Sequence, residues 1–114
     1  MQDAPRILLL EADAATASHL AIHLDKAGAD VITADHALQA MQRLTQFTFS
    51  GAVIDYWPGA EDRARIAERL FQLSVPLVVH ASVVPPAAWR APHFADPDEI
   101  VASVMRLIQA SRQP

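Results

Sequence analysis

Four short apolar segments constrain the fold of this chain more than any other feature of its sequence. They lie at 6–11, 31–34, 51–55 and 76–81 and contain few polar residues. Apolar runs of this length are typical of strands that are buried on both faces, as in a parallel sheet. The segments between them carry apolar residues at helical spacing. Strands and helices therefore alternate, which predicts an α/β domain with right-handed crossovers.

Helix start signals support this alternation. Asp13 and Asp35 each follow a predicted strand and can cap the next helix. A third helix is expected from about 61 to 73, with Arg63 and the arginines after it on a solvated face. The last helix is predicted to begin at Asp96, because Pro97 takes its first position and Glu99 lies three residues after the cap.

The segment from Ser82 to Ala95 interrupts the pattern. Pro85 and Pro86 exclude a helix through that point. One helical turn fits at 87–90, and 92–94 could form a meagre fifth strand. The predicted fold is thus a single doubly wound parallel sheet of flavodoxin-like order with about five strands. Its fourth helix is expected to be shortened or missing.

Length and composition exclude several classes of protein. A chain of 114 residues has room for one domain, 1–114, with no attached effector domain. No apolar run approaches the roughly 20 residues of a membrane span, and no signal peptide is apparent, so we expect a cytoplasmic protein without membrane contact. The absence of cysteine excludes disulfides and thiolate catalysis. A net charge of −4 argues against a nucleic-acid partner.

Carboxylates occupy several of the predicted strand ends, where open parallel sheets bind their ligands. Glu11 and Asp13 follow the first strand, and Asp55 ends the third. Ala81 and Ser82 lie at the end of the fourth strand. A candidate site is therefore expected around Glu11 and Asp55.

In order and spacing, five segments resemble the receiver domains of bacterial two-component response regulators, in a degenerate, single-domain form. The segments are 7–13, 27–31, 51–55, 75–79 and 96–99. In that family an aspartate accepts a phosphoryl group beside a Mg²⁺ ion held by acidic residues. A hydroxyl after the fourth strand and a lysine after the fifth contact the phosphoryl oxygens. The resemblance places Asp55 at the phosphoacceptor position and Glu11 at the first acidic position.

The sequence departs from this family at three positions of the site. Ala12 falls where the family has a direct Mg²⁺ ligand, and alanine offers no side-chain oxygen. Ala81 falls at the hydroxyl position. The single lysine, Lys26, lies at the end of the first predicted helix, far from the position after the fifth strand. We therefore expect Glu11 and Asp55 to form at most a weak or vestigial magnesium site, and we expect no other cofactor.

The resemblance predicts a stand-alone receiver-like signalling module in a two-component pathway or phosphorelay, not an enzyme. It is expected to act by phosphorylation-independent contact with a histidine kinase, a phosphotransfer protein, another regulator or a second copy of itself. One alternative is a phosphorylatable receiver that uses Asp55. Another is a nucleotide- or flavin-binding enzyme of the same fold, which is less favoured because 12–16 lacks a glycine-rich phosphate loop.

The shortened fourth helix also predicts a partner surface. Its loss should uncover part of the apolar stripe of the last helix, so Trp89, Val104 and Ile108 become candidate partner-binding residues. The alternative is that Trp89 covers the stripe itself.

The remaining candidates are three histidines. His80 lies late in a buried strand and is interpreted as a hydrogen-bonded core residue rather than a pH sensor or metal ligand. His19 and His23 have the i, i+4 spacing of metal ligands. The sequence suggests no third ligand, so a solvated pair is favoured.

Overall fold

The computed structural model describes residues 3–112 and contains one five-stranded parallel sheet. The strand order is β2-β1-β3-β4-β5. The strands are β1 (Arg6–Leu10), β2 (Asp30–Ala34), β3 (Gly51–Asp55), β4 (Leu77–His80) and β5 (His93–Phe94). The helices are α1 (Ala14–Lys26), α2 (Ala37–Gln46), α3 (Arg63–Gln72) and α4 (Pro97–Arg112). The doubly wound α/β fold predicted from the sequence is confirmed.

The predicted shortening of the fourth crossover helix is confirmed as well. Between β4 and β5 the described chain forms one turn of 3-10 helix, Ala87–Trp89, directly after Pro85 and Pro86. A proline inside a longer helix there would lack one hydrogen-bond donor and clash with the preceding turn. The crossover therefore runs as a loop with a single helical turn.

The sheet separates two apolar cores. Side chains alternate between the faces along each strand. Leu8, Leu10 and Ile54 pack with α2 and α3, while Ile7, Leu9 and Val53 pack with α1 and α4. Both cores are almost inaccessible to solvent, and they hold the carboxyl ends of β1, β3 and β4 side by side.

The structure corrects the predicted partner surface at Trp89, Val104 and Ile108. Val104 and Ile108 are buried on the α1/α4 face, where Gly51 lets α4 approach closely: a Cβ atom at 51 would lie 2.7 Å from Cδ1 of Ile108. Trp89 is also buried, but on the α2/α3 face, against Tyr56 at a centroid distance of 5.1 Å.

Crossover handedness explains this error. Right-handed crossovers place the segments after β2, β3 and β4 on one face of the sheet and α1 on the other, where α4 also packs. A shortened crossover after β4 therefore opens the α2/α3 face and leaves the α4 stripe covered. Trp89 fills the space on the opened face.

Candidate functional site

Three polar side chains meet where β1, β3 and β4 end. Glu11 follows β1, Asp55 ends β3, and His80 ends β4 directly opposite Asp55 in the strand register. Because β1 and β3 are neighbours from which the chain leaves in opposite directions, this is the topological switch point of the sheet. The sequence-predicted residues Glu11 and Asp55 are thus brought together at the position where such folds bind ligands.

Both oxygens of Asp55 are engaged within the chain. Oδ2 accepts a hydrogen bond from the backbone N–H of Ala12 at 2.7 Å. Oδ1 accepts one from Nε of Arg63 at 2.9 Å, and Nη2 of Arg63 lies 2.9 Å from the same oxygen. The side chains of Arg63 and Asp55 are only 3% and 5% exposed. Asp55, which the resemblance places at the phosphoacceptor position, is therefore held in a buried ion pair.

Arg63 is the site residue that the sequence analysis missed, since it was assigned to a solvated helix face. Its helix begins at 63 rather than near 61, so Arg63 is the first helical residue and lies beside the end of β3. Its guanidinium stacks over the ring of Trp57 at 4.8 Å, and Nη1 lies 3.4 Å from both carboxylate oxygens of Asp62. The ring and the two carboxylates hold the guanidinium in place.

Glu11 has its own basic partner in His80. Nδ1 of His80 lies 2.7 Å from Oε1 of Glu11, and Nε2 lies 3.2 Å from the carbonyl oxygen of Ala95. Since both ring nitrogens face acceptors, the geometry fits the doubly protonated, charged imidazole. The second oxygen of Glu11 accepts the backbone N–H of Asp13 at 3.2 Å. His80 is therefore the hydrogen-bonded histidine that the sequence predicted, placed inside the site.

The structure also corrects the register at the end of β4. The sequence predicts Ala81 at the position of the hydroxyl group and His80 one residue earlier, inside the strand. The side chain that enters the site is that of His80, whereas Ala81 is buried against the α2/α3 core and Ser82 is exposed. Because side chains alternate along a strand, a shift of one residue moves a side chain from the site to the core. An imidazole thus stands where the resemblance requires a hydroxyl.

The electrostatics of the four groups follow from burial and pairing. Burial raises the pKa of Asp55 to about 6, and the neighbouring Glu11 carboxyl adds to this, while the Ala12 N–H and Arg63 oppose it. Burial would also raise the pKa of Glu11, but hydrogen bonds from His80 and other neighbours outweigh it and lower the pKa. The bond to Glu11 raises the pKa of His80 despite desolvation. Two acids and two bases therefore balance each other's charge.

This arrangement does not fit a magnesium ion as it stands. Mg²⁺ requires oxygen ligands in near-octahedral geometry. Each carboxylate oxygen of Glu11 and Asp55 already faces a nitrogen of the chain, and Ala12 contributes only a donor. The guanidinium of Arg63 holds the place beside Asp55 that a cation would need. A vestigial magnesium site at Glu11 and Asp55 remains a prediction from the sequence.

The start of α1 is equally unsuited to a phosphate group. The carboxylate of Asp13 accepts the backbone N–H of Thr16 at 2.9 Å and its hydroxyl at 2.6 Å, and this bonding lowers the pKa of Asp13. A negative charge therefore occupies the helix end that would otherwise attract an anion. This disfavours the nucleotide- or flavin-binding alternative.

Comparison with known proteins establishes the fold. No protein-family model matches the chain, and no curated protein matches it significantly. Solved structures match over nearly the whole chain. The receiver domain of a Francisella response regulator aligns with a TM-score of 0.79 and 15% identity, covering 95% of this chain and 99% of that one.

Two further structures agree. The beryllofluoride-activated NtrC receiver domain aligns with a TM-score of 0.76 and 20% identity over 99% of this chain and 100% of that one. The signal receiver domain of a histidine kinase from Syntrophus aciditrophicus aligns with a TM-score of 0.75 and 18% identity, covering 97% of this chain and 95% of that one. The chain thus has the fold of the response-regulator receiver domains. Within the described residues, no helix is long and apolar enough to span a bilayer.

Proposed function

We propose that this protein is a receiver-like signalling module that binds a partner protein without phosphorylation of Asp55. The observation that carries the proposal is the buried contact between Arg63 and Asp55, in which Oδ1 lies 2.9 Å from two guanidinium nitrogens. An arginine is charged at all physiological pH values. The chain therefore supplies, permanently, the positive charge that a phosphorylation site obtains from a metal ion.

The chemistry of phosphoryl transfer supports this proposal. An aspartate that attacks a phosphoryl group must approach another anion, so transfer depends on positioned cations. Here Ala12 removes a metal ligand, and His80 and Arg63 already neutralise both acids. Attack by Oδ1 would also require the guanidinium to move from a site where it is 3% exposed. Each of these features reduces the reactivity of Asp55.

A second candidate function also rests on Arg63. Arginine binds phosphate groups well, so its guanidinium could replace the missing lysine and stabilise a phosphorylated Asp55. This is the phosphorylatable receiver of the sequence analysis. It is the weaker candidate because it leaves the attacking step without a metal ligand at Ala12.

Acetyl phosphate with Mg²⁺ distinguishes the two functions. We expect no stoichiometric adduct of about 80 Da, the mass of one added phosphoryl group, in intact-protein mass spectra. The loss of a single positioned charge-stabilising donor elsewhere lowers rates by about 10²–10³. Asp55→Asn is the matched control. An adduct that forms on the parent protein and is missing from Asp55→Asn would establish the second candidate instead.

Tryptophan fluorescence tests the metal site directly. The ring of Trp57 lies under Arg63 and should report any ion that displaces the guanidinium from Asp55. Millimolar Mg²⁺ is expected to leave the fluorescence unchanged, because Ala12 offers no oxygen. Ala12→Asp combined with Arg63→Ala restores a carboxylate and removes the competing cation, so that variant should respond to Mg²⁺. A saturable response of the parent protein that Asp55→Asn abolishes would contradict the proposal.

Partner binding supplies the third test. A histidine kinase, a phosphotransfer protein or another regulator is the expected partner class, and a homodimer is the alternative. If binding is independent of phosphorylation, the affinity for a purified partner should be the same with and without acetyl phosphate. An affinity that rises after treatment would contradict the proposal.

A further inference from the structure

A second cluster of polar side chains lies away from the strand ends, where α1 passes the first turn of α4. His19 and His23 project from successive turns of α1, with ring centroids 4.3 Å apart. Asp98 projects from the start of α4, and its Oδ1 lies 3.9 Å from Nε2 of His19. One ligand atom from each of the three residues lies within 4.8 Å of the other two. The third ligand that the sequence did not suggest is therefore supplied by the fold.

We propose that His19, His23 and Asp98 form a binding site for a divalent transition metal ion such as Zn²⁺. Two imidazoles and one carboxylate are the ligand set of many zinc sites, whereas Mg²⁺ and Ca²⁺ prefer oxygen ligands alone. The proposal is independent of the function assigned to Asp55, because it uses none of the same residues.

The geometry requires only small side-chain movements. Ligand atoms bound to one tetrahedral zinc ion lie about 3.3 Å apart, given Zn–N and Zn–O distances near 2 Å. His19 and Asp98 are exposed and His23 is half-buried, so rotation of their side chains can bring the ligand atoms to this separation. Their backbones are fixed because α1 and α4 pack together over the same core. The two helices therefore hold the three ligands in register.

The surroundings leave room for further ligands. An open cleft of about 440 Å³ borders the cluster and is lined by His19, Asp98, Asp96, Thr16 and two smaller side chains. Asp96 accepts the backbone N–H of Asp98 at 3.0 Å at the start of α4. The Asp98 carboxylate is therefore not needed for that contact and can bind an ion. Three protein ligands and an open position are typical of zinc sites that can also bind water or a donor from a second molecule.

Isothermal titration of the purified protein with ZnCl₂ tests the site. We expect one ion per chain, and His19→Ala, His23→Ala and Asp98→Asn should each weaken binding by at least tenfold. Replacing even outer partners of metal ligands commonly reduces affinity by about 10–100-fold. Alanine favours the helix at positions 19 and 23, and asparagine keeps the shape of Asp98, so these variants should fold. Zn²⁺ should raise the Tm of the parent protein and leave that of the His19→Ala/His23→Ala variant unchanged.

A control variant separates this site from another exposed histidine. His36 lies 3.6 Å from Asp35, which makes it a histidine–aspartate pair with no third ligand among residues 3–112. His36→Ala should bind Zn²⁺ as the parent protein does. The proposal is overturned if the parent binds no more tightly than the His19→Ala/His23→Ala variant, or if His36→Ala weakens binding equally.

Discussion

Two arginine–aspartate pairs at opposite ends of the sheet share a short Nε–Oδ distance and an aromatic neighbour, but they differ in their surroundings. Arg6 and Asp30 face each other at the start of β1 and β2, with Nε 2.9 Å from Oδ2. Arg63 and Asp55 meet at the end of β3 at the same distance. Each arginine also lies over an aromatic ring, that of Phe47 at 5.1 Å or that of Trp57 at 4.8 Å.

Exposure separates the two pairs. The side chains of Arg6 and Asp30 are 40% and 47% exposed, whereas those of Arg63 and Asp55 are 3% and 5% exposed. Water hydrates the first pair whether or not it forms, so such pairs contribute about 0–1 kcal/mol. Neither member of the second pair can be hydrated alone. Distance therefore says little about the strength of an ion pair, and burial decides whether either residue can be altered or chemically modified independently.

The pair of His80 and Glu11 lies between these two cases. Its side chains are 22% and 5% exposed, and its base, unlike an arginine, can lose its charge near neutral pH. The site thus combines a pair at Asp55 whose base is always charged with a pair at Glu11 whose base titrates near neutral pH. Matched substitutions at the three pairs should give a graded series of effects.

The largest effect is expected for Arg63→Met. Methionine keeps the aliphatic character of the arginine stem, but it leaves the Asp55 carboxylate buried without its cation. Removing one partner of a buried pair lowers the free energy of unfolding by about 3–5 kcal/mol. Urea denaturation at neutral pH measures this loss. Without Arg63, the pKa of Asp55 should rise further above about 6, so the loss should shrink as the pH falls toward 6 and level off below it.

A double-mutant cycle controls this prediction. Arg63→Met/Asp55→Asn removes both charges, so it should be less destabilised than the sum of the two single variants. Strict additivity would show that the two side chains do not depend on each other. It would also remove the main support for the proposed inactivity of Asp55.

An intermediate, pH-dependent effect is expected for His80→Gln. The raised pKa of His80 means that its contribution is fully present below the unfolded value of about 6.5 and is lost as the pH rises through the folded value. The lowered pKa of Glu11 means that its contribution is lost as the pH falls below about 4.5. The free energy of unfolding of the parent protein should therefore exceed that of His80→Gln by about 1–2 kcal/mol, and this difference should be largest between about pH 5 and 6.5.

Denaturation curves at a series of pH values measure this difference. It should decrease above pH 7 as His80 loses its proton. A difference that stays constant up to pH 9 would mean that the neutral imidazole makes the same bond, and the contact would then be structural rather than ionic. Arg63→Met serves as the matched comparison, because its deficit grows with pH instead of shrinking.

The fold and the acidic half of the site could be predicted from the sequence. Buried strands leave uninterrupted apolar runs, and the carboxylates at their ends stand out against them. Glu11 and Asp55 follow two such runs, and the parallel arrangement necessarily brings their positions together. These features are local in sequence, which is why periodicity reveals them.

The basic half of the site could not be predicted in the same way. Arg63 is one of several arginines on its helix, and only the point at which α3 begins directs it toward Asp55. His80 was displaced by one residue in the expected register, and one residue in a strand changes the face. Trp89 was assigned to the α4 stripe, although right-handed crossovers in the predicted strand order already place the segment after β4 on the opposite face of the sheet. The errors therefore fall on contacts between elements.

The smallest effect is expected for Arg6→Met, the same substitution as at Arg63 but in the exposed pair. Asp30 keeps its hydration when Arg6 is removed, so the free energy of unfolding should fall by less than about 1 kcal/mol. Because salt screens exposed charges, that difference should diminish further in about 1 M NaCl, whereas the Arg63→Met deficit should persist. Denaturation of both variants at low and high salt measures the contrast. Equal losses at the two arginines would mean that distance and ring stacking, which the pairs share, determine their strength, and that burial does not.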